Sequence, residues 1–261
     1  MSSGVETSLI SRVRDSSASL GMTEAADKII VALDVPTKVA ALDLVDQLRD
    51  QISFFKIGLQ LYTAEGPEIV RAVLSTGAKV WLDLKLHDIP NTVARAVESA
   101  TNLGVHMLTI HLSGGSEMIR AATAARANNI SILGVTVLTS ATEETLREIG
   151  ISDKIDNHVL RLAKLGVEGG IDGLVASPHE VRMLRAQFDA KLKLVVPGIR
   201  PNWSETGDQR RVTTPRQALD AGADYLVIGR PITTHPQPRE AVAKILDEIG
   251  DERSWTSVVT T

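Results

Sequence analysis

Between Trp81 and Val93 the chain reads WLDLKLHDIPNTV, an apolar run that ends in Asp83, Lys85 and Asp88. Asp83 and Lys85 are two residues apart, so in an extended strand their side chains share one face, and Asp88 follows in what reads as a loop. Two other apolar runs carry charge in the same way: VALDV ends near Asp34, and FFKIG contains Lys56. Each residue alone has an ordinary explanation. An aspartate after a strand commonly caps a helix, and a strand lysine commonly snorkels to water. Taken together, two lysines and three aspartates at the ends of successive strands would be costly to bury unless each neutralised its neighbours. An alternating network of this kind suits proton delivery, or stabilisation of a developing carbanion by an ammonium. A lysine flanked by aspartates stays protonated, which disfavours Schiff-base formation. An aspartate held against a substrate anion would favour loss of that anion, for example as carbon dioxide.

A second group suits an anion. VVPGIRP places Gly198 and Arg200 after one apolar run, and LVIGRPIT places Gly229 and Arg230 after the last. Glycine permits close backbone approach, free N–H groups cradle oxygens and arginine adds a bidentate charge, so the pattern fits a phosphate. The plainer reading is a turn with an exposed arginine. Thr139 and Ser140 in TVLTSAT offer hydroxyls for an amide-bearing ring or for a helix cap, and Gln209 in GDQRRVTTP suits a loop closing over a phosphate. His87, His111, Gly114 and Gly115 are weaker candidates that read equally well as local packing. The histidines and carboxylates show no convincing metal-ligand spacing.

These residues need elements to hold them. Short Val-, Ile- and Leu-rich runs, as expected of strands buried on both faces, predict strands at 29–33, 54–57, 79–84, 105–110, 131–137, 173–176, 193–196 and 225–228. Amphipathic stretches between them predict helices at 38–49, 67–75, 92–103, 116–127, 157–168, 180–187, 215–221 and 239–249. Gly77, Gly104, Gly170 and Gly222 sit where left-handed helix ends are wanted. Strict β–α alternation implies a parallel sheet, and eight units in a chain of 261 residues match a single-domain α/β fold, the (β/α)8 barrel. A doubly wound open sheet is the alternative. In a barrel the residues after each strand form the active site, and the loops after strands seven and eight form the phosphate site.

Composition narrows the function classes. Apolar residues make up 43% of the chain, enough for a sizeable core. A net charge of -4 gives no electrostatic reason to expect nucleic acid as the partner. With no cysteine, disulfides, thiolate metal sites and cysteine nucleophiles are excluded, which fits a reducing, cytoplasmic setting. No apolar run approaches a membrane span. Residues 1–27, serine-rich and of mixed charge, read as a loosely ordered arm or short helix, 28–250 as the catalytic barrel and 251–261 as a tail.

The motifs ALDV, FKIG, DLKLHDIPNT, LTS, PGIR, DQ-R and GR-IT, in this order and spacing, resemble the orotidine 5'-phosphate decarboxylases of the bacterial type, from about Lys28 to Ile249. The resemblance implies a homodimeric barrel without cofactor that converts orotidine 5'-phosphate to UMP and carbon dioxide, the last step of pyrimidine nucleotide synthesis. Carried over by motif, Asp34 and Lys56 would hold the ribose hydroxyls and the charge network. Asp83 would face the substrate carboxylate, and Lys85 would stabilise the C6 carbanion and protonate it. Asp88 and Thr92 would reach into the neighbouring subunit's site. Thr139 would lie near the pyrimidine, and Arg200, Gln209, Gly229 and Arg230 would bind phosphate. Two other readings stay open: a magnesium-dependent sugar-phosphate decarboxylase of the same superfamily, and a non-catalytic nucleotide-binding barrel.

Overall fold

Eight parallel strands close on themselves in sequence order, β1 to β8, with β8 pairing back to β1. The computed structural model describes residues 24–127, 130–204 and 212–250. The strands are β1 (Ile29–Ala32), β2 (Phe54–Gly58), β3 (Lys79–Leu86), β4 (Met107–His111), β5 (Ser131–Val135), β6 (Gly173–Val175), β7 (Lys193–Val196) and β8 (Tyr225–Ile228). The major outer helices are α1 (Lys38–Leu48), α2 (Leu59–Glu65), α3 (Pro67–Leu74), α4 (Pro90–Leu103), α5 (Gly115–Ala124), α6 (Glu143–Glu148), α7 (Ile155–Glu168), α8 (Val181–Gln187), α9 (Pro215–Asp220), α10 (Arg230–Thr233) and α11 (Pro238–Gly250). No helix among the described residues is long and apolar enough to cross a membrane. The predicted C-terminal tail and most of the predicted arm lie outside the described residues, and residues 24–27 form a single helical turn leading into β1.

Strand alternation sorts the chain into two cores. Ile29, Val31, Phe55, Ile57, Val80, Leu82, Leu108 and Ile110 face outward and pack under the helices. Ile30, Ala32, Phe54, Trp81, Met107, Leu133, Val135, Val175, Val195 and Val227 face inward and plug the barrel. The same inward parity continues toward the strand ends as Lys56, Asp83 and Thr109, so the polar layer sits directly on the apolar plug. The opposite rim is polar for another reason. Asp172 and Asp224, each preceding a strand, accept the N–H groups of Ile132 (2.8 Å) and Leu194 (2.7 Å) and pair with Arg126 and Arg185. Those pairs tie strand starts together and lie far from the mouth.

The observed elements depart from the sequence reading at their ends. Helix α4 starts at Pro90 rather than Thr92, because proline's fixed φ and missing N–H suit the first helical position. Strand β3 runs two residues past the predicted Leu84, and β5 stops at Val135, releasing the following residues into the mouth. Helices α2, α6 and α10 were not anticipated; each is seven residues or shorter, too brief for helical periodicity to register. Gly104 closes α4 with φ 83° and ψ 22°, the left-handed end expected of it.

Candidate active site

Asp34, Lys56, Asp83 and Lys85 line one cavity of about 220 Å³ at the C-terminal mouth of the barrel, together with Thr139, Gly198, Arg200, Gly229 and Arg230. Apolar walls from Ala32, Trp81, Val135 and Val227 form its floor. The four charges alternate in space as they do in sign. Lys56 Nζ lies 2.9 Å from Asp34 Oδ1 and 3.6 Å from Asp83 Oδ2. Lys85 Nζ donates to Asp83 Oδ1 at 2.9 Å and Oδ2 at 2.8 Å. Asp83 is thus held between two ammoniums while only 6% exposed. Burial pushes its carboxyl upward, but the charges of Lys56 and Lys85, with hydrogen bonds from Lys85 and Thr109, outweigh that and hold it below the ordinary carboxylate range.

Lys85 reaches Asp83 by a less regular route than strand alternation. It is the sole non-glycine residue with positive φ (51°) among those described. At the same place the β3–β4 register shifts: Leu82 pairs with Leu108, but Leu86 pairs with Ile110. The bulge turns the Lys85 side chain back over Asp83. Backbone conformations of this kind cost about 1–3 kcal/mol and persist where the surroundings over-determine them.

Two residues of the site carried no functional reading from sequence. Thr109 is fully buried on β4; its hydroxyl donates to Asp83 Oδ1 at 2.8 Å and accepts the Lys85 N–H at 3.0 Å. Its inward parity beside His111 in MLTIH was the available signal. Gly58 ends β2, and a β-carbon there would stand 2.9 Å from Lys56 Nζ and 3.0 Å from Asp34 Oδ1. A β-carbon at the close of FKIG would therefore crowd the Lys56–Asp34 charge pair.

The remaining candidates divide. Arg200 is buried, its Nη1 donating to the Ile199 carbonyl at 2.9 Å, while its N–H bonds the Thr213 carbonyl at 2.8 Å. Arg200 and Arg230 also line a second cavity of about 540 Å³ with Trp203, His235 and Lys244. Asp88 and Thr92 do not line the cavity; Asp88 is exposed in the loop after β3, with Oδ1 accepting the Ile89 N–H at 2.7 Å, and Thr92 is exposed on the first turn of α4. Gln209 lies outside the described residues. The rings of His111 and His87 lie 5.7 Å apart, centroid to centroid, at a tilt of 42°, and burial, then the charges of His87 and Lys85, lower the His111 pKa despite the opposing pull of Asp83.

Fold and site together define a (β/α)8 barrel whose mouth pairs an Asp-Lys-Asp-Lys network with glycine and arginine after its last two strands, the position at which barrels of this class frequently carry a phosphate site. Residues 27–245 match the Orotidine 5'-phosphate decarboxylase / HUMPS family, and the chain belongs to that family. It is 49% identical over 234 residues to the orotidine 5'-phosphate decarboxylase of Moorella thermoacetica, an alignment covering 86% of this chain and 93% of the relative. Identity to the Idiomarina loihiensis enzyme of the same name is also 49%, covering 87% of this chain and 100% of the relative. The solved structure of orotidine 5'-phosphate decarboxylase from Lactobacillus acidophilus superposes with a TM-score of 0.76 at 33% identity, covering 86% of this chain and 100% of that one.

Proposed function

We propose that this protein decarboxylates orotidine 5'-phosphate to UMP and carbon dioxide, the last step of pyrimidine nucleotide synthesis. The observation that carries the reading is the Asp34–Lys56–Asp83–Lys85 chain, set in one cavity with the Gly229–Arg230 motif. A phosphate held by Gly229, Arg230 and Arg200, with Gln209 closing over it, would place the pyrimidine over the charge network. Asp34 and Lys56 would then meet the ribose hydroxyls, and Thr139 the edge of the base.

In this pose Asp83 faces the substrate carboxylate and disfavours it, while Lys85 stabilises the charge that replaces it. The C6–carboxylate bond breaks, its electron pair stays on C6, and carbon dioxide leaves. A proton passes from the Lys85 ammonium to C6, and the neutral amine regains one from water. Binding energy from the remote phosphate helps hold the reacting end in place. No step calls on a cofactor. The working unit is a cytoplasmic homodimer in which Asp88 and Thr92 complete the partner's site, the barrel of residues 28–250 supplying the catalysis.

The test is loss of orotidine 5'-phosphate absorbance with purified protein and excess EDTA. Turnover that EDTA leaves unchanged is expected. Folded protein that binds UMP without releasing carbon dioxide would point to a nucleotide sensor, and activity abolished by EDTA to metal-dependent chemistry.

A further inference from the structure

The bulge in β3 creates a problem that a single side chain on β4 solves. Between the pairs Leu82–Leu108 and Leu86–Ile110, the residues Asp83, Leu84 and Lys85 stand opposite Thr109 alone. The Lys85 backbone is left-handed at φ 51°, and its N–H finds its acceptor in Thr109 Oγ1 at 3.0 Å. The hydroxyl's own proton goes to Asp83 Oδ1 at 2.8 Å. A hydroxyl has one donor and two acceptor positions, so both bonds can form at once. No water competes, because Thr109 is 0% exposed. Asp83 Oδ1 therefore receives Thr109 from one side and Lys85 Nζ, at 2.9 Å, from the other. The carboxylate is fixed in rotation, and with it the ammonium chelated across both its oxygens.

We propose that Thr109 is a positioning residue for the decarboxylation step, one hydroxyl locking the Asp83 carboxylate and the Lys85 backbone into the geometry that delivers the proton. The proposal rests on the decarboxylase reading above and extends it to a residue remote from the phosphate. Thr109 does not line the cavity and acts only through its two neighbours. The requirement is for an oxygen at this point of β4, which valine, of the same shape, lacks.

The experiment compares wild type with Thr109→Val, Thr109→Ser and Thr109→Ala for kcat, KM and UMP affinity, with the thermal midpoint as a check on folding. Wild-type turnover in the same assay separates failure of this inference from failure of the decarboxylase reading. Thr109→Val is expected to lower kcat roughly 10- to 100-fold, the scale of loss when a catalytic group shifts by about an ångström. Its KM and UMP affinity should stay within about threefold of wild type, since phosphate binding lies elsewhere. Thr109→Ser, which keeps the oxygen and loses a methyl, should recover most of the turnover. Wild-type kcat in Thr109→Val overturns the proposal, as does a serine variant as slow as the valine one, or equal loss of kcat and UMP affinity in valine. If the valine variant does not fold, the serine and alanine variants decide, because both lack the methyl and only serine carries the hydroxyl. Serine faster than alanine supports the role, and equal rates overturn it.

Discussion

The ammonium of Lys85 chelates the carboxylate of Asp83, 2.9 and 2.8 Å from its two oxygens, from a backbone position with φ 51°. Side-chain charge and backbone strain are thus invested in one residue, and substitution should separate them. Lys85→Ala and Lys85→Gly both remove the proton donor, so kcat should fall by roughly 10²–10⁴-fold or more while UMP affinity largely persists. The two should differ in stability. Alanine keeps the left-handed penalty of about 1–2 kcal/mol per residue, and glycine does not. Lys85→Gly should therefore melt above Lys85→Ala, by about 2–4 °C for each kcal/mol in a chain of this size. Calorimetry of the pair checks it; the reverse order would mean that the backbone relaxes when the ammonium goes.

Gly58 tests the network from below. The β-carbon of Gly58→Ala would meet Lys56 Nζ at 2.9 Å and Asp34 Oδ1 at 3.0 Å, both ends of flexible side chains. The backbone there has φ -96°, which alanine accepts. Folding should be nearly unaffected, with a cost below about 1 kcal/mol. Catalytic efficiency should fall about tenfold or more, because the displaced ammonium no longer bridges Asp34 and Asp83. Parallel denaturant melts and steady-state kinetics make the comparison. A stability loss without a kinetic one would show that the glycine serves packing alone.

The same two residues mark what the sequence made legible and what it hid. Alternation of apolar runs with amphipathic ones disclosed a parallel sheet buried on both faces, which fits a barrel or an open sheet, and the count of eight units pointed to the barrel that closes here. Charges at run ends disclosed Asp34, Lys56, Asp83 and Lys85, since a charge in an apolar context is conspicuous. Thr109 and Gly58 stayed hidden because neither type is rare in a strand; their meaning lies in distances to side chains on other strands. The Lys85 bulge was also invisible: alternation placed Asp83 and Lys85 on one face, and they do meet, but through a register shift that a period of two cannot express.

Asp88 and Thr92 give a prediction about assembly. Both are exposed in the single chain, beside Ile89, a large apolar side chain 67% exposed at the start of α4. If this edge completes a neighbour's site, Asp88→Ala and Lys85→Ala should each be nearly inactive alone. Mixed after subunit exchange, heterodimers would hold one intact site each, and equal mixing should return roughly a quarter of the wild-type sites. Titrating one variant into the other and following turnover checks this. No recovery despite demonstrated exchange would confine each site to one chain.

His106 sets a pH dependence of stability that is independent of catalysis. Its Nδ1 accepts the Val80 N–H at 3.2 Å, and its ring packs edge-on against Phe54 at 6.3 Å, so the neutral tautomer is built into the β3–β4 seam. Burial, then the charge of Lys79, hold its pKa below the usual histidine value. In the unfolded chain the ring takes up a proton near pH 6.5, whereas the folded chain resists until lower pH. Unfolding therefore binds protons across that interval, and stability is lost as pH falls from about 6.5 through the lowered folded value. His106→Asn retains an acceptor for Val80 but cannot titrate. Its thermal midpoint should fall less than that of wild type between about pH 7 and pH 5, with His111 and His158, also lowered by burial, supplying the slope that is left. Melting curves of the two proteins across that range decide it: parallel slopes would mean that His106 titrates alike in the folded and unfolded chains.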